Sequence, residues 1–212
     1  MAYNPRRHNR HSTRKKGYDY TRAGSYFLTA NVQDREHLLS QIVNAEVKLS
    51  RAGRIVYSAI RHIPHHFRRA RIDAFVVMPD HIHLLLTLRG KRRGRSRNPR
   101  TVLPPGGSYI SLMPPEEIGP AYGFTIASLE QSGIYPDGRP KGTVPGSIGA
   151  IMQNLQSITA RKINRWRRTP GVRVWQRNYH DQIIQNARHW HAVRNYIHRN
   201  PAQWEADRRG AG

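Results

Sequence analysis

A chain of 212 residues is long enough for one domain with a hydrophobic core and an additional segment outside it, and it is short for two domains. Its 36 Lys and Arg against 13 Asp and Glu leave a formal charge of +23, which indicates a polyanionic partner, with nucleic acid as the first candidate. The absence of cysteine excludes disulfides, thiolate metal sites and a cysteine nucleophile.

The apolar runs are all shorter than the about 18 residues that a membrane-spanning helix needs. The first residues carry no apolar core of the kind found in a signal peptide. We therefore expect an intracellular, soluble protein without a membrane partner.

Residues 1–22 are almost wholly polar and basic, so they cannot bury enough apolar surface to order themselves. This composition is typical of an arm that settles on nucleic acid, and a solvated tail is the alternative. The candidate phosphate contacts in this arm are Arg6, Arg7, Arg10, Arg14, Lys15 and Lys16.

Hydrophobic periodicity predicts one domain over residues 23–204, followed by a short polar tail at 205–212. The predicted elements, in chain order, are a strand at 26–32, a short extended segment at 42–49, a helix at 52–67, a hairpin at 72–88, a helix from 147, a strand within 172–184 and a helix at 187–200. Proline lacks the amide N–H, so we expect Pro64 to end or bend the first helix and Pro201 to stop the last.

A long insertion at residues 90–146 is rich in Gly and Pro and begins with a basic run that includes Arg92 and Arg93. A loop of this length inside a compact domain is either functional or disordered. The sequence leaves open whether it clamps a nucleic-acid strand or is a flexible excursion. Further basic candidates for nucleic-acid contacts are Arg161, Lys162, Arg165 and Arg177.

Two histidines that are separated by a single residue interrupt a largely apolar run at residues 74–88. Side chains alternate across a strand, so His81 and His83 project from one face and Ile82 from the other. Imidazole binds transition metals or divalent cations when oxygen donors complete the shell. The flanking apolar runs place the pair inside a sheet, which favours half of a metal site over two surface histidines.

The last predicted helix carries Tyr196 and Asn200, which lie four residues apart on one face. If this helix packs across the histidine strand, Asn200 becomes a third metal ligand and Tyr196 lies near the metal. Such an ion keeps open positions that bind and polarise a phosphate, and this allows a phenol to act as a nucleophile. The predicted product is a covalent phosphotyrosine. Tyr179 is a weaker rival, because it lies in a strand without an amide four residues on.

Three motifs resemble one family. Residues 78–84 resemble the His-hydrophobic-His motif of the HUH single-strand endonucleases. Residues 196–201 resemble the tyrosine motif of the single-tyrosine transposases, in particular the REP-associated tyrosine transposases, and residues 175–181 are similar to the strand before that helix. The resemblance covers residues 17–90 and 147–204.

This resemblance implies an α+β fold, a ferredoxin-like antiparallel sheet with helices packed on one side, and metal-dependent cleavage of single-stranded DNA near a hairpin. It implies that Tyr196 attacks the phosphodiester, keeps the 5′-phosphate and releases a 3′-hydroxyl. It also implies that His81, His83 and Asn200 bind Mg²⁺ or Mn²⁺. The expected setting is the nucleoid in the bacterial cytoplasm, with the protein a monomer or homodimer.

The chain departs from the family pattern at two places. In the family, an asparagine is commoner at the position of Asp80. The acidic side chain could alter the properties of His81 or have no effect on them. The insertion at 90–146 is longer than expected. Two further hypotheses stay open: a non-catalytic protein of the same fold that binds DNA or RNA hairpins, and a basic RNA-binding structural protein of ribosomal type.

Overall fold

The structure is a computed structural model that describes residue 15 and residues 17–90 and 143–209. The expectations for the 90–146 insertion therefore lie almost wholly outside the described residues. So do those for Arg6, Arg7, Arg10, Arg14, Lys16, Arg92 and Arg93.

The elements follow the predicted order: β1 Gly24–Asn31, β2 Ser40–Val43, β3 Glu46–Leu49, α1 Arg51–His66, β4 Ala70–Val77, β5 His81–Leu88, α2 Ile148–Arg167, β6 His180–Ile183 and α3 Ala187–Arg209. Serine side chains cap the first two helices, with Ser50 accepting from the Gly53 N–H and Ser147 from the Ala150 N–H. Across the described ranges, no helix is both long and apolar enough to cross a bilayer.

The main sheet has the strand order β4-β5-β1-β6, and every neighbouring pair is antiparallel. The succession β1-α1-β4-β5-α2-β6 with this order is the ferredoxin-like arrangement. The predicted fold class, α+β with a ferredoxin-like antiparallel sheet, is confirmed, and the two helices of the ferredoxin-like unit, α1 and α2, pack on one side of the sheet as predicted. The β2–β3 hairpin, which turns at Asn44 and Ala45, forms a separate two-stranded sheet.

One face of the sheet forms the main core with α1 and α2. Alternate residues of β1 and β5 point toward these helices and meet their apolar stripes. The buried side chains include Tyr26, Leu28 and Ala30 of β1, Ile82, Leu84 and Leu86 of β5, Val56 and Ile60 of α1, and Ile151 and Leu155 of α2. Burying one such aliphatic side chain contributes about 1.5–3 kcal/mol. This layer holds β5, which carries the histidine pair, rigidly at the centre of the sheet.

The helix α3 follows the ferredoxin-like unit and packs on the opposite face, chiefly over β4 and β5. Val193 and Ile197 of α3 meet Val76 and Leu85 in a second, smaller core, to which the β2–β3 hairpin adds partly buried apolar side chains. The side of the sheet that presents the odd-numbered residues of β5 is therefore the side that α3 covers.

The expected end of the last helix at Pro201 is wrong, because α3 continues through Pro201 for two more turns. Tertiary contacts stabilise these turns. The Trp204 ring lies 5.8 Å from the His81 ring, and the Glu205 carboxylate accepts backbone N–H groups from the turn of the β2–β3 hairpin at 2.7 and 3.3 Å. Long-range contacts thus outweigh the hydrogen bond that the proline removes.

Candidate active site

The two histidines of β5 lie on the α3 face of the sheet, as alternation along a strand predicted. Both are buried, at 7% and 6% exposure. His81 is opposite Asn31 of β1 in the strand register, and His83 is opposite Thr29. The two rings meet edge to face, with their Nε2 atoms 3.1 Å apart.

Asp80 orients the first histidine. Its Oδ1 lies 2.5 Å from His81 Nδ1, and its Oδ2 lies 3.2 Å from Arg35 Nε. Burial works to raise the pKa of the Asp80 carboxyl, but the hydrogen bond and charge of His81 and the charge of Arg35 outweigh burial and leave that pKa below its usual value. An ionised carboxylate only accepts, so His81 Nδ1 carries the hydrogen and Nε2 faces His83.

Thr29 orients the second histidine, with its Oγ1 2.9 Å from His83 Nδ1. Burial, followed by the nearby charges of His81 and Arg35, lowers the pKa of His83 to about 3. His83 is therefore neutral at pH 7. When its Nδ1 donates to Thr29, the Nε2 lone pair faces that of His81, and two acceptors at 3.1 Å repel each other unless they share a cation.

Tyr196 of α3 reaches the same nitrogen from the solvent side. Its hydroxyl lies 3.4 Å from His83 Nε2, and its side chain is 48% exposed. The ring packs against His83 at 5.3 Å and perpendicular to Phe27 at 6.0 Å. These two contacts fix the direction of the ring and leave the hydroxyl accessible to a ligand.

Asn200 lies one helical turn beyond Tyr196 and is buried, at 8% exposure. Tyr196 contacts His83 and Trp204 contacts His81, and Asn200 lies between these two residues on the same face of α3. Within the part of the chain that the structure describes, the Asn200 side chain makes no hydrogen bond, which leaves its amide oxygen available to a ligand. The helix α3 thus packs across the histidine strand, which is the condition under which Asn200 could be a third metal ligand.

The separation of the two Nε2 atoms is compatible with one shared divalent ion. Two imidazole nitrogens that bind an ion at about 2.1 Å and at roughly a right angle stand about 3 Å apart, close to the separation of the two Nε2 atoms. Among residues 15, 17–90 and 143–209, no three His, Cys, Asp or Glu side chains are grouped to hold a metal. The fit therefore depends on an amide oxygen as the third donor, and nitrogen donors favour Mn²⁺ over Mg²⁺.

Of the five predicted basic contacts that the structure describes, four lie away from this site. Arg161 and Arg165 are exposed on α2, on the other side of the sheet. Burial lowers the pKa of Lys162, which is partly buried in the same helix. Lys15 is exposed before β1, and Arg177 lines a depression that Thr29 also lines. The structure thus brings Arg177 alone of these five beside the site.

The rival nucleophile Tyr179 is not brought to the histidines. It is 6% exposed and belongs to the main core on the α1 and α2 face. Its burial on the α1 and α2 face separates it from the histidine pair on the other face.

Sequence reasoning missed Thr29, Arg35 and Trp204. The alternation of β1 could have identified Thr29, because it is a polar residue on the face opposite the apolar ones. Helical spacing could have identified Trp204, which lies eight residues after Tyr196 on the same side of α3. No sequence signal indicated Arg35, whose guanidinium forms an ion pair with Asp80.

The low pKa of His83 predicts a fold that is sensitive to acid. In the unfolded chain this imidazole binds a proton near pH 6.5, but in the folded protein it does so only near pH 3. The contribution of His83 to the free energy of unfolding is therefore complete above pH 6.5. Acidification from there toward pH 3 lowers the free energy of unfolding by at most about 1.4 kcal/mol per pH unit. Denaturant titrations of the metal-free protein at several pH values measure the free energy of unfolding. As the pH falls, this free energy should decrease more steeply for wild type than for His83→Gln. The exposed control His62→Gln should keep the wild-type slope, and equal slopes for wild type and His83→Gln would contradict the prediction.

Fold and site together define a ferredoxin-like α+β protein with a helical tyrosine beside a buried histidine pair. No protein-family model matches the chain. The chain is 28% identical over 207 residues to an uncharacterized protein of Haemophilus influenzae. The match covers 97% of this chain and 95% of that protein.

The solved structures similar to the chain include two that are named as transposases. One is a REP-associated tyrosine transposase bound to a REP hairpin, with a TM-score of 0.48, 16% identity, and coverage of 90% of this chain and 73% of that one. The other is a candidate transposase from Deinococcus radiodurans, with a TM-score of 0.38, 15% identity, and coverage of 87% and 95%.

Proposed function

We propose that the protein is a metal-dependent single-strand DNA endonuclease and strand transferase that acts near DNA hairpins through a 5′-phosphotyrosine. One observation carries the proposal: the accessible Tyr196 hydroxyl lies 3.4 Å from a nitrogen of the buried, converging histidine pair. The resemblance of three sequence motifs to the single-tyrosine transposases supports the same chemistry.

His81, His83 and Asn200 would hold Mn²⁺ or Mg²⁺, which when bound would polarise the scissile phosphate and offset its charge. Asp80 and Thr29 keep both Nδ1 atoms occupied and both Nε2 atoms available. Such outer partners fix the tautomer and ring direction of a ligating histidine, so this chain assembles the site before the ion arrives.

Tyr196 supplies the nucleophile. As its oxygen bonds to phosphorus, the phenol loses its proton, the bond from phosphorus to the 3′ oxygen breaks, and that oxygen takes up a proton. The phosphate stays on Tyr196 as a diester, so the released 3′-hydroxyl can reverse the step or a different 3′-hydroxyl can complete a transfer. The packing of the tyrosine ring on His83 and Phe27 limits the directions of attack.

The experiment that tests this function uses a labelled single-stranded DNA hairpin, Mn²⁺ and a denaturing gel. We expect a band of covalent protein–DNA adduct that disappears when EDTA removes the metal. Tight hairpin binding without an adduct would instead favour the non-catalytic hairpin-binding protein.

Affinity for hairpin DNA should fall steeply with salt, because the charge of +23 makes phosphate contacts and counterion release the main source of binding energy. On a single strand, the logarithm of the association constant should fall with the logarithm of salt by about 0.7 per phosphate contacted. Fluorescence anisotropy across a tenfold range of NaCl measures this slope. An affinity independent of salt would contradict a polyanionic ligand.

A further inference from the structure

An open depression adjoins the histidine pair on the part of the sheet face formed by β1 and β6. It is lined by Thr29, Asn31 and residues 176–180. Thr29 connects the depression with the histidine pair, because it lines the depression and its hydroxyl also contacts His83. In the register of the sheet, Thr29 is opposite His83 on one side and His180 on the other. Neighbouring strands lie about 4.8 Å apart, so the depression begins within about 10 Å of His83.

The segment that forms the outer wall is held by the fold. Trp175 is buried and makes a β-bridge with Val32, and its indole N–H donates to Thr159 at 2.9 Å. The Gln176 backbone N–H donates to the Asn31 carbonyl at 2.9 Å. The depression is therefore preformed, which lowers the entropy cost of binding a ligand there.

A chain of hydrogen bonds sets the polarity of the depression. Arg35 only donates, so at 2.7 Å it requires the Asn31 side chain to present its oxygen. The Asn31 amide nitrogen then donates to the Gln176 side-chain oxygen at 3.3 Å. Within the described ranges the Gln176 side-chain NH₂ has no partner, so this residue offers the depression a donor and keeps its acceptor engaged.

We propose that this depression binds the base of a nucleotide next to the scissile phosphate and selects guanine or thymine through the Gln176 amide. The inference rests on the proposed function, because the depression adjoins Thr29 and His83 and so lies within reach of a nucleotide next to a phosphate bound at Tyr196. Guanine O6 and thymine O4 accept hydrogen bonds from an amide NH₂. Adenine and cytosine present amino groups at these positions, which would leave two donors facing each other.

The test is cleavage of a pool of single-stranded hairpins with randomised flanking nucleotides. Strands that become covalently attached are captured under denaturing conditions and sequenced. For wild type we expect one flanking position to favour guanine or thymine by about tenfold. Gln176→Glu replaces the donor with an acceptor, so it should reverse the preference at this position toward adenine or cytosine, and Gln176→Leu should remove it.

Gln41→Glu, on the exposed β2 strand, adds the same charge away from the depression and should keep the wild-type preference. Thermal melts of all variants check the fold. If wild type forms adducts and Gln176→Glu keeps the same base preference, the base pocket is wrong and the proposed function stands. If folded wild type forms no adduct with any strand in the pool, the proposed function fails and the pocket inference fails with it.

Discussion

Tyr196→Phe should abolish the covalent adduct and leave affinity for hairpin DNA within roughly twofold. The substitution removes one half-exposed oxygen, whose contact to His83 is long, at 3.4 Å, and keeps the ring that packs on Phe27. The nucleophile is therefore lost while the fold and the charged surface remain. A denaturing gel measures the adduct, and a filter-binding titration of the same protein measures affinity.

Two matched controls make this result specific. Tyr57→Phe removes a phenol from α1, on the other side of the sheet, and should form adduct as wild type does. Tyr179→Phe changes the rival tyrosine in the core and should also retain the adduct. Adduct formation by Tyr196→Phe, or its loss in Tyr179→Phe with the fold intact, would contradict the assignment of the nucleophile.

His81→Ala and His83→Ala should each reduce metal-dependent cleavage by more than about a hundredfold. Losing only an outer partner of a ligating histidine costs about 10–100-fold, and these changes remove the ligand itself. Binding of Mn²⁺ to the protein without DNA, followed by electron paramagnetic resonance, should weaken in parallel. This second readout separates loss of the metal from loss of DNA contacts.

His83→Gln keeps more of the side-chain volume and guards against a variant that fails to fold. His65→Ala, on the exposed end of α1, is the matched control and should leave both cleavage and Mn²⁺ binding unchanged. Asn200→Ala should weaken Mn²⁺ binding without removing the nucleophile. Full cleavage by either histidine variant would contradict the proposed metal site.

Local pattern predicted much of the fold. The buried runs on either side of Pro79 predicted β4 and β5, and the helical spacing after Ser147 predicted α2. These predictions are reliable because strand and helix periodicities follow from backbone geometry alone. The prediction for Pro201 failed because the contacts of Trp204 and Glu205 come from residues more than a hundred positions away in the chain.

The sequence likewise predicted one part of the candidate site and missed another. The spacing of His81 and His83, and that of Tyr196 and Asn200, predicted two pairs that each share a face. It did not predict the contacts that orient them. The Arg35 side chain joins Asp80 to Asn31, and so links the histidine pair to the depression beside it. Such links join a turn, a strand and a loop, and no spacing along one element records them.

The sequence by itself determined the order of the elements, the basic character of the chain and the residues that each strand and helix presents on one face. Covalent geometry and local hydrogen bonds decide these properties. Only the tertiary structure decided that α3 packs over the histidine face, that the two Nε2 atoms converge, and that Gln176 offers a donor beside them. These arrangements depend on apolar burial between distant segments, which selects one packing among the many that the same local patterns allow.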